Sequence, residues 1–409
     1  MTNKKYFSLI LVLGSLTALG PFSIDMYLPA FPVIAKDLQT TTEQVAISLS
    51  SFFIGISLGQ LLYGPLLDRY GRKKPLYIGL AVYILASLGC VFAATLDQLI
   101  VLRAVQAIGS CAAAVASVAM VRDLFPVKDS AKVFALLMLV VGVSPMVAPT
   151  VGSYITVYFG WHAVFYVLLA LGVLNLLSSF LWLPESFIPD RTLSLKPVPI
   201  LKGFFNVMIE SQFYTYALTG AISFAGLFAY VAGSPVVFME VFNVSTETYG
   251  WIFAILSVGL IGSSQINSML LKRYKSEQII RMAIIGQVLV TALFLMGALN
   301  DWYGLMATIC VLFLFLCCLG FTNPNTAALA LAPFTKNAGT ASALMGAIQM
   351  GIGALASSML SVFHLKSAVP MAAVMAATSI IAFAVLSIGK RRIKTHVNIS
   401  ENAAGGLVH

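Results

Sequence analysis

Asp25 and Arg103 are the two ionisable side chains that lie clearly inside long apolar stretches of this 409-residue sequence. Charges in apolar surroundings are costly, so residues of this kind are candidates for a functional site. With a helical rise of about 1.5 Å per residue, both fall at a similar depth from one edge of an apolar layer. We expect them to pair, and a carboxyl whose surroundings change can load and release a proton. The sequence thus predicts a proton-coupling site, to which Gln106 adds a polar group one turn from Arg103.

Structural interpretations of both residues stay open at this point. Asp25 could be a solvated carboxylate that does no more than cap the outer end of its helix. Arg103 could bridge to the C-terminus of a helix or to backbone carbonyls, because a guanidinium carries five hydrogen-bond donors and no acceptor. The sequence favours the coupling interpretation without excluding these alternatives.

The composition identifies the environment of the two charges. Lys and Arg number 24 and Asp and Glu 15, so charged residues make up 10% of the chain and hydrophobic residues 59%. The mean hydropathy is +0.94. A soluble domain carries about 25% charged residues, and much of its surface must face water. The composition therefore excludes a soluble, disordered or fibrous protein and predicts an all-α polytopic membrane protein in contact with the lipid bilayer.

Twelve apolar stretches are long enough to cross a bilayer as helices, which takes roughly 20 residues each. They are predicted near residues 6–31, 45–67, 76–95, 98–121, 132–158, 162–183, 213–238, 249–270, 279–299, 304–331, 340–363 and 368–389. An even number of spans places both termini on one side. All but three of the 24 Lys and Arg residues fall on that side, the exceptions being Lys36, Lys366 and Arg103. Because cationic loops stay inside, we expect cytoplasmic termini, and cations that signal topology indicate no nucleic-acid partner.

The longest connection on the cytoplasmic side separates the sixth span from the seventh and contains four prolines. It divides the chain into two halves of six spans. The predicted organisation is an N-terminal six-helix bundle at 1–183, a cytoplasmic loop at 184–212, a C-terminal six-helix bundle at 213–390 and a cytoplasmic tail at 391–409.

No residue pattern indicates a metal, a cofactor or an enzyme. The five cysteines lie in apolar stretches and the four histidines are scattered, so neither a disulfide framework nor a metal-ligand set is predicted. The sequence has no G-x-x-x-x-G-K-[ST] loop, which argues against an ATP-driven motor. An enzyme would need a polar catalytic constellation, and two isolated intramembrane charges offer none.

The loop after the second span has a spacing of glycines and charges that suits a specific turn. Gly64 would allow helices to approach closely, and Asp68 can accept hydrogen bonds or cap a helix. Gly71 suits a tight turn, and Arg69 and Arg72 would hold the loop inside. The alternative is an ordinary cationic turn, which this combination of residues makes a poor explanation.

The fifth span contains two glycines and two prolines within eleven residues, namely Gly142, Pro145, Pro149 and Gly152. Proline removes a backbone hydrogen bond, and glycine removes side-chain bulk. The pattern predicts a helix that bends and a face to which a neighbour packs closely. A simple kink without a mechanistic role is the alternative.

Taken together, these motifs resemble those of the major facilitator superfamily, and within it the twelve-span drug/proton antiporters. Residues 64–74 resemble motif A, residues 99–109 resemble motif B, and residues 142–152 resemble the antiporter motif C. The string at 23–32, Ser-Ile-Asp-Met-Tyr-Leu-Pro-Ala-Phe-Pro, is similar to that of the bicyclomycin/chloramphenicol-resistance (Bcr/CflA) subfamily. The resemblance extends over residues 6–390.

The resemblance implies a mechanism of alternating access, in which two six-helix bundles rock about a central cavity. Asp25 would take a proton from outside, which weakens its hold on Arg103 and on the drug. Asp68 would lock the cytoplasmic gate by capping the start of the eleventh span near Gly339 and Thr340 and by meeting Arg122. Candidate substrate-lining residues within the spans are Tyr27, Gln106, Phe224, Asn323, Asn325, Met345 and Gln349.

The expected partners follow from the same resemblance. They are protons and a small amphiphilic drug that is mostly uncharged, because the cavity would hold one obvious anion. We expect a monomeric, multi-pass protein of a bacterial inner membrane. Within transport, the alternative is a proton-coupled symporter or an exporter of a small metabolite such as a dipeptide or amino acid. Outside transport, a receptor or a membrane enzyme is the competing class.

Overall fold

The computed structural model describes residues 3–190, 197–334, 338–363 and 367–393. Part of the predicted cytoplasmic loop (191–196), most of the predicted tail (394–409) and Lys366 lie outside the described residues. The described chain is helical and contains no β-strand. Twelve of its helical segments are long and apolar enough to cross a membrane, which confirms the predicted number of spans.

The chain forms two compact units. The first comprises Met1–Leu195 together with Asn243–Ala254, and the second Lys196–Phe242 with Ile255–His409. The helices before residue 195 are α1 Asn3–Asp25, α2 Phe31–Asp37, α3 Thr42–Tyr70, α4 Lys73–Val91, α5 Leu96–Leu124, α6 Val127–Phe159 and α7 Trp161–Trp182. The later helices are α8 Pro197–Met208, α9 Ser211–Pro235, α10 Thr246–Leu270, α11 Ser276–Leu299, α12 Leu305–Leu331, α13 Ala338–Leu360 and α14 Val369–Lys390.

The first span is longer than predicted and is interrupted. It runs over Tyr6–Asp37, with α1 ending at Asp25, a 3-10 turn at Leu28–Ala30 and α2 beginning at Phe31. Pro29 has no N–H to donate to the carbonyl four residues earlier, which is that of Asp25, so the α-helix cannot continue. Proline is tolerated in the first turn of a helix, and Pro29 and Pro32 each occupy such a position. The position of Pro29 in the sequence therefore accounts for the break.

In the first unit, small residues let α5 pack closely against α3 and α4. Gly55 and Gly59 of α3 face the Ala104 carbonyl and Cys111, respectively, with no space for a side chain. On the other side of α5, a Cβ at Gly109 would lie 2.5 Å from the backbone nitrogen of Tyr83. These contacts place α5, which carries Arg103, at the centre of the unit.

In the second unit, α9 is the central helix and packs against α12, α13 and α14. Gly353 of α13 abuts the ring of Phe228, and Gly220 abuts Thr326. The amide of Gln287 on α11 accepts a hydrogen bond from the Ser223 hydroxyl at 2.7 Å and donates to the Ser223 carbonyl at 3.2 Å. Both groups are buried, so the pairing satisfies polar atoms that would otherwise be costly.

Replacing Gly109 with alanine should destabilise the protein by about 1–3 kcal/mol, because the added methyl group meets backbone rather than a movable side chain. Gly20 on α1 is the matched control, since a Cβ there meets nothing within 4 Å. Gly20→Ala should leave the melting temperature of the detergent-solubilised protein unchanged or slightly higher. Equal melting temperatures for Gly109→Ala and Gly20→Ala would contradict the proposed close contact.

Candidate functional site

Asp25 is the last residue of α1, and 6% of its surface is exposed. Among the described residues, its carboxyl group makes no hydrogen bond and no ion pair. The alternative of a solvated carboxylate at the helix end is therefore wrong for this structure. A carboxyl group in this position is ionised only at considerable cost unless water or a cation reaches it.

Arg103 is completely buried, and each of its two terminal nitrogens donates a hydrogen bond. Its Nη2 donates to the carbonyl of Ser23 at 2.8 Å, and its Nη1 donates to Oε1 of Gln106 at 2.5 Å. The Gln106 amide in turn donates to the hydroxyl of Ser87 at 2.7 Å. The remaining guanidinium nitrogen, Nε, has no hydrogen-bond partner in the described chain.

Aromatic rings surround the same guanidinium. Its Cζ atom lies 4.2 Å from the ring centroid of Phe52, 4.6 Å from that of Tyr27 and 5.8 Å from that of Phe165. The Tyr27 hydroxyl pairs with the hydroxyl of Ser48 at 2.8 Å. Ring faces attract cations, so the rings compensate in part for the absence of a carboxylate beside this buried charge.

The expected ion pair between Asp25 and Arg103 is absent from the described residues, so that prediction was wrong. Two residues along an α-helix correspond to a rotation of about 200°, and Arg103 approaches α1 at Ser23 rather than at Asp25. The Ser23 carbonyl is available because α1 stops before another helical turn can use it. A cation at a helix C-terminus is favourable. The structure thus matches the alternative in which Arg103 bridges to backbone carbonyls, directly beside the candidate proton carrier.

The predicted antiporter motif also meets this site. Gly152 of α6 lies against the backbone of Met26, the residue after Asp25, where a Cβ would overlap the Met26 carbonyl. Two residues earlier, the Thr150 hydroxyl donates to the Gly250 carbonyl at 3.2 Å. Pro149 also contacts Gly250, with the Pro149 carbonyl 3.2 Å from a Cβ built there. The other two motif residues, Gly142 and Pro145, are half-buried in α6, and the predicted bend stays a prediction.

The loop between α3 and α4 contains a second cluster, built on Arg72. Its Nη1 donates to Asp68 at 2.7 Å and its Nε donates to Asp123 at 2.8 Å. Burial by itself would lower the pKa of Arg72, but hydrogen bonds and charge from Asp123 and Asp68 raise it above its ordinary value. Arg122 is exposed and makes no ion pair among the described residues. The predicted contact of Asp68 with Arg122 is therefore wrong, because the neighbouring Asp123 faces the loop instead.

Glu185, which sequence reasoning missed, closes this cluster. Its Oε1 accepts from the backbone N–H of Arg72 at 2.7 Å, and its Oε2 accepts from that of Lys73 at 3.1 Å. An anion at these unpaired donors stabilises the start of α4. Gly71 has φ +84°, and a Cβ there would lie 3.0 Å from the carboxylate, so the turn requires glycine. The signal was available in the sequence, since Glu185 lies two residues after the predicted sixth span (162–183), on the same side of the membrane as the cationic loop.

Residues after Glu185 add further contacts to the same loop. The hydroxyl of Ser186 donates to Asp123 at 2.9 Å. The ring of Phe187 lies 4.1 Å from Cζ of Arg72, and the N–H of Asp190 donates to the Asp68 carbonyl at 3.1 Å. The beginning of the segment that leads to α8 is thus bound to the cluster on Arg72.

Two residues of the same motif lie in α3, before the loop. Gly64 does not mediate a close helix contact, since a Cβ built there meets nothing within 4 Å. It lies five residues after Gly59, which turns it about 140° away from the face that packs on α5. Arg69 lies with its Cζ atom 5.7 Å from the ring of Tyr70. The predicted contact of Asp68 with the start of α13 stays a prediction.

The predicted substrate-lining residues separate into two groups. Tyr27 and Gln106 have no exposed surface and Asn325 has 2%, so in this structure they do not line open space. Tyr27 and Gln106 are used by Arg103, while the Asn325 amide donates to Asn267 at 2.6 Å. The other four, which are half-buried and belong to the second unit, are Phe224, Asn323, Met345 and Gln349. Among them, the Gln349 amide donates to Asn323 at 3.4 Å.

Replacing Arg103 with lysine should loosen the end of α1, because one ammonium group cannot reproduce the planar stacking and both hydrogen bonds. We expect a loss of about 1–3 kcal/mol in the free energy of unfolding, measured by thermal denaturation in detergent. Arg273→Lys, an exposed change of the same type, is the control and should have no effect. Identical melting temperatures for the two variants would mean that the hydrogen bond to Ser23 contributes nothing.

Glu185→Gln should speed hydrogen exchange at the amides of Arg72 and Lys73 by roughly ten-fold, since a neutral amide accepts only one of the two bonds and carries no charge for the helix end. Asp301→Asn is the matched control, at an exposed position with φ +53°, which asparagine tolerates. Unchanged exchange at these two amides would rule out a capping role for Glu185.

Similarity to known proteins agrees with this geometry. The family model described as Major Facilitator Superfamily matches residues 13–358. The chain is 33% identical to an uncharacterized MFS-type transporter, YdgK, of Bacillus subtilis, covering 96% of this chain and 98% of that protein. It is also 33% identical to a bicyclomycin resistance protein homolog of Haemophilus influenzae, covering 93% and 95%.

A solved structure shares the fold at lower identity. A D-xylose-proton symporter superposes with a TM-score of 0.72 at 15% sequence identity, covering 93% of this chain and 97% of that one. At this identity the likeness concerns the fold alone. Twelve spans, the match to the family model and the identity to the bicyclomycin resistance protein homolog identify the chain as a multi-pass transporter of the major facilitator superfamily, in its bicyclomycin/chloramphenicol-resistance subfamily.

Proposed function

We propose that this chain is a secondary active transporter that exports amphiphilic drugs or antibiotics in exchange for protons. The observation that carries the proposal is Asp25, a nearly buried carboxyl group without a counter-ion among the described residues, at a break in the first span. Relatives named for resistance to bicyclomycin and to multiple drugs support the substrate class.

The lack of a partner for Asp25 suits a residue that exchanges protons. A permanent ion pair would stabilise one charge state through the whole cycle. An ionised carboxylate is costly in these surroundings. Uptake and release of the proton at Asp25 must therefore accompany a change in the access of its carboxyl group to water or to a cation. Met26 and Gly152 lie in direct contact beside it, so a movement of α6 against the end of α1 would change this access.

In the proposed cycle, Asp25 takes up a proton when the site is open to the outside, and the drug leaves. The proton is then released inside, and drug binds again. The moving parts would be the predicted bundles 1–183 and 213–390, connected by the loop 184–212. Arg103 acts as a positioning residue in this scheme, because it fixes the end of α1 without pairing with the carboxylate.

The cluster on Arg72 is the proposed cytoplasmic gate. Its buried cation is bound to Asp68 and Asp123, and its loop is held by Glu185. Such a charge network has discrete bonded and unbonded arrangements, which a gate requires. We also propose that both termini are cytoplasmic, that the protein resides in a bacterial inner membrane and that it is monomeric.

The proposed substrate contacts are the four half-buried residues of the second unit, namely Phe224, Asn323, Met345 and Gln349. An aromatic ring, a thioether and two amides suit amphiphilic molecules, which bring both apolar surface and hydrogen-bonding groups. None of the four carries a charge, which supports substrates that are uncharged or weakly charged.

Asp25→Asn should abolish proton-coupled transport, because an amide cannot take up or release the proton. We would reconstitute the full chain into liposomes and measure two quantities: proton release driven by a drug gradient, and drug uptake driven by a proton gradient that is acidic inside. The variant should lose at least ten-fold in both, yet bind drug within a few-fold of wild type and keep its melting temperature.

The matched control is Asp97→Asn, which removes an exposed carboxylate at the start of α5 and should transport normally. Proton release at the wild-type rate in Asp25→Asn would refute the carrier role. Drug that moves in the same direction as the protons, rather than against them, would instead identify a symporter.

A further inference from the structure

A concentration of cations lies at one end of the second unit, where the loop from α10 to α11 meets the end of α14. We call it the basic corner, and its residues are Lys272, Arg273, Lys275, Arg281, Lys390, Arg391 and Arg392. The helices α11 and α14 pack against each other, and Lys390 of α14 lies 3.8 Å from Glu277 of α11. The two stretches of sequence therefore form one surface.

Negative charge is scarce on this surface. Glu277 is the sole acidic residue in 271–282 and 388–393, and Lys390 already lies beside it. Arg281 follows Glu277 by four residues on α11 and so lies on the same face. Arg281, Arg391 and Arg392 are exposed, and none of these three arginines has an ion-pair partner among the described residues.

The cations on α11 and at the end of α14 adjoin exposed apolar side chains of these membrane-spanning helices. Met282 of α11, 71% exposed, follows Arg281. Ile388, 58% exposed, lies two residues before Lys390. The cations thus occupy the level at which an apolar, lipid-facing surface ends, which is where phospholipid headgroups lie.

We propose that the basic corner binds the phosphate headgroup of an anionic phospholipid, with the acyl chains along the exposed apolar residues of α11 and α14. Positive charge complements the phosphate, arginine donors match its oxygens in pairs, and Met282 and Ile388 continue the contact into the hydrocarbon layer. A soluble anion would use the cations but not these apolar neighbours. The inference does not depend on drug export.

Native mass spectrometry of the full chain, extracted from liposomes of defined composition, tests the proposal. We expect wild type to retain phosphatidylglycerol or cardiolipin in preference to phosphatidylcholine. The double variant Arg281→Gln/Arg391→Gln should lower this retention by roughly ten-fold or more, since each cation near the headgroups contributes separately. Arg281→Lys/Arg391→Lys, which keeps the charge, should retain at least part of the lipid.

A matched control removes the same charge elsewhere. Lys74→Gln/Lys202→Gln changes two exposed cations outside the basic corner and should retain the anionic lipid as wild type does. Equal losses in both double variants would overturn the proposal in favour of a general charge effect. A preference for phosphatidylethanolamine, or displacement of the lipid by inorganic phosphate, would overturn it as well. Size-exclusion profiles of all variants confirm that they remain folded.

Discussion

The hydrogen bond from Arg103 to the Ser23 carbonyl is the interaction on which the arrangement around Asp25 depends. A helix that stops within the bilayer leaves carbonyls without donors, and no water is present to satisfy them. Arg103 supplies a donor and a positive charge at this C-terminus, and three aromatic rings and Gln106 hold its guanidinium. The break in the first span is stable because this buried cation serves the backbone rather than a carboxylate.

Unpaired backbone groups at a helix end are also satisfied in the cluster on Arg72, but there an anion meets N–H groups at a helix N-terminus. The start of α4 presents unpaired N–H groups, and the carboxylate of Glu185 accepts from two of them. A cation at a helix C-terminus and an anion at a helix N-terminus both complement the helix dipole. Arg103 and Glu185 are both distant in sequence from the helix end that they bind, so each fixes that end relative to other helices of the first unit. These ends carry Asp25 and Arg72, the residues proposed to couple and to gate.

Close packing accounts for the rest of the site. Gly152 allows α6 to touch the backbone beside Asp25, and Gly109 allows α5 to touch α4. Where backbones are in contact there is no flexible side chain to absorb a shift, so a movement of one helix is transmitted to its neighbour. Gly152 of the fifth span and Gly109 of α5 thus contribute to the site through the helix contacts they allow, although they have no side chain that could take part in its chemistry.

The sequence by itself determined the membrane class and the twelve spans, because hydropathy acts locally. The break in the first span was not predicted, although the missing N–H of Pro29 explains it. It also singled out Asp25 and Arg103 as charges inside apolar stretches, and Asp68 and Arg72 as part of the loop motif. Only the tertiary structure decided their partners. Arg103 binds the carbonyl of Ser23 instead of the carboxylate of Asp25, and Asp68 pairs with Arg72 instead of Arg122. Such choices depend on helix rotation and on which carbonyls are free, and a rotation of 100° per residue exchanges one neighbour for the next.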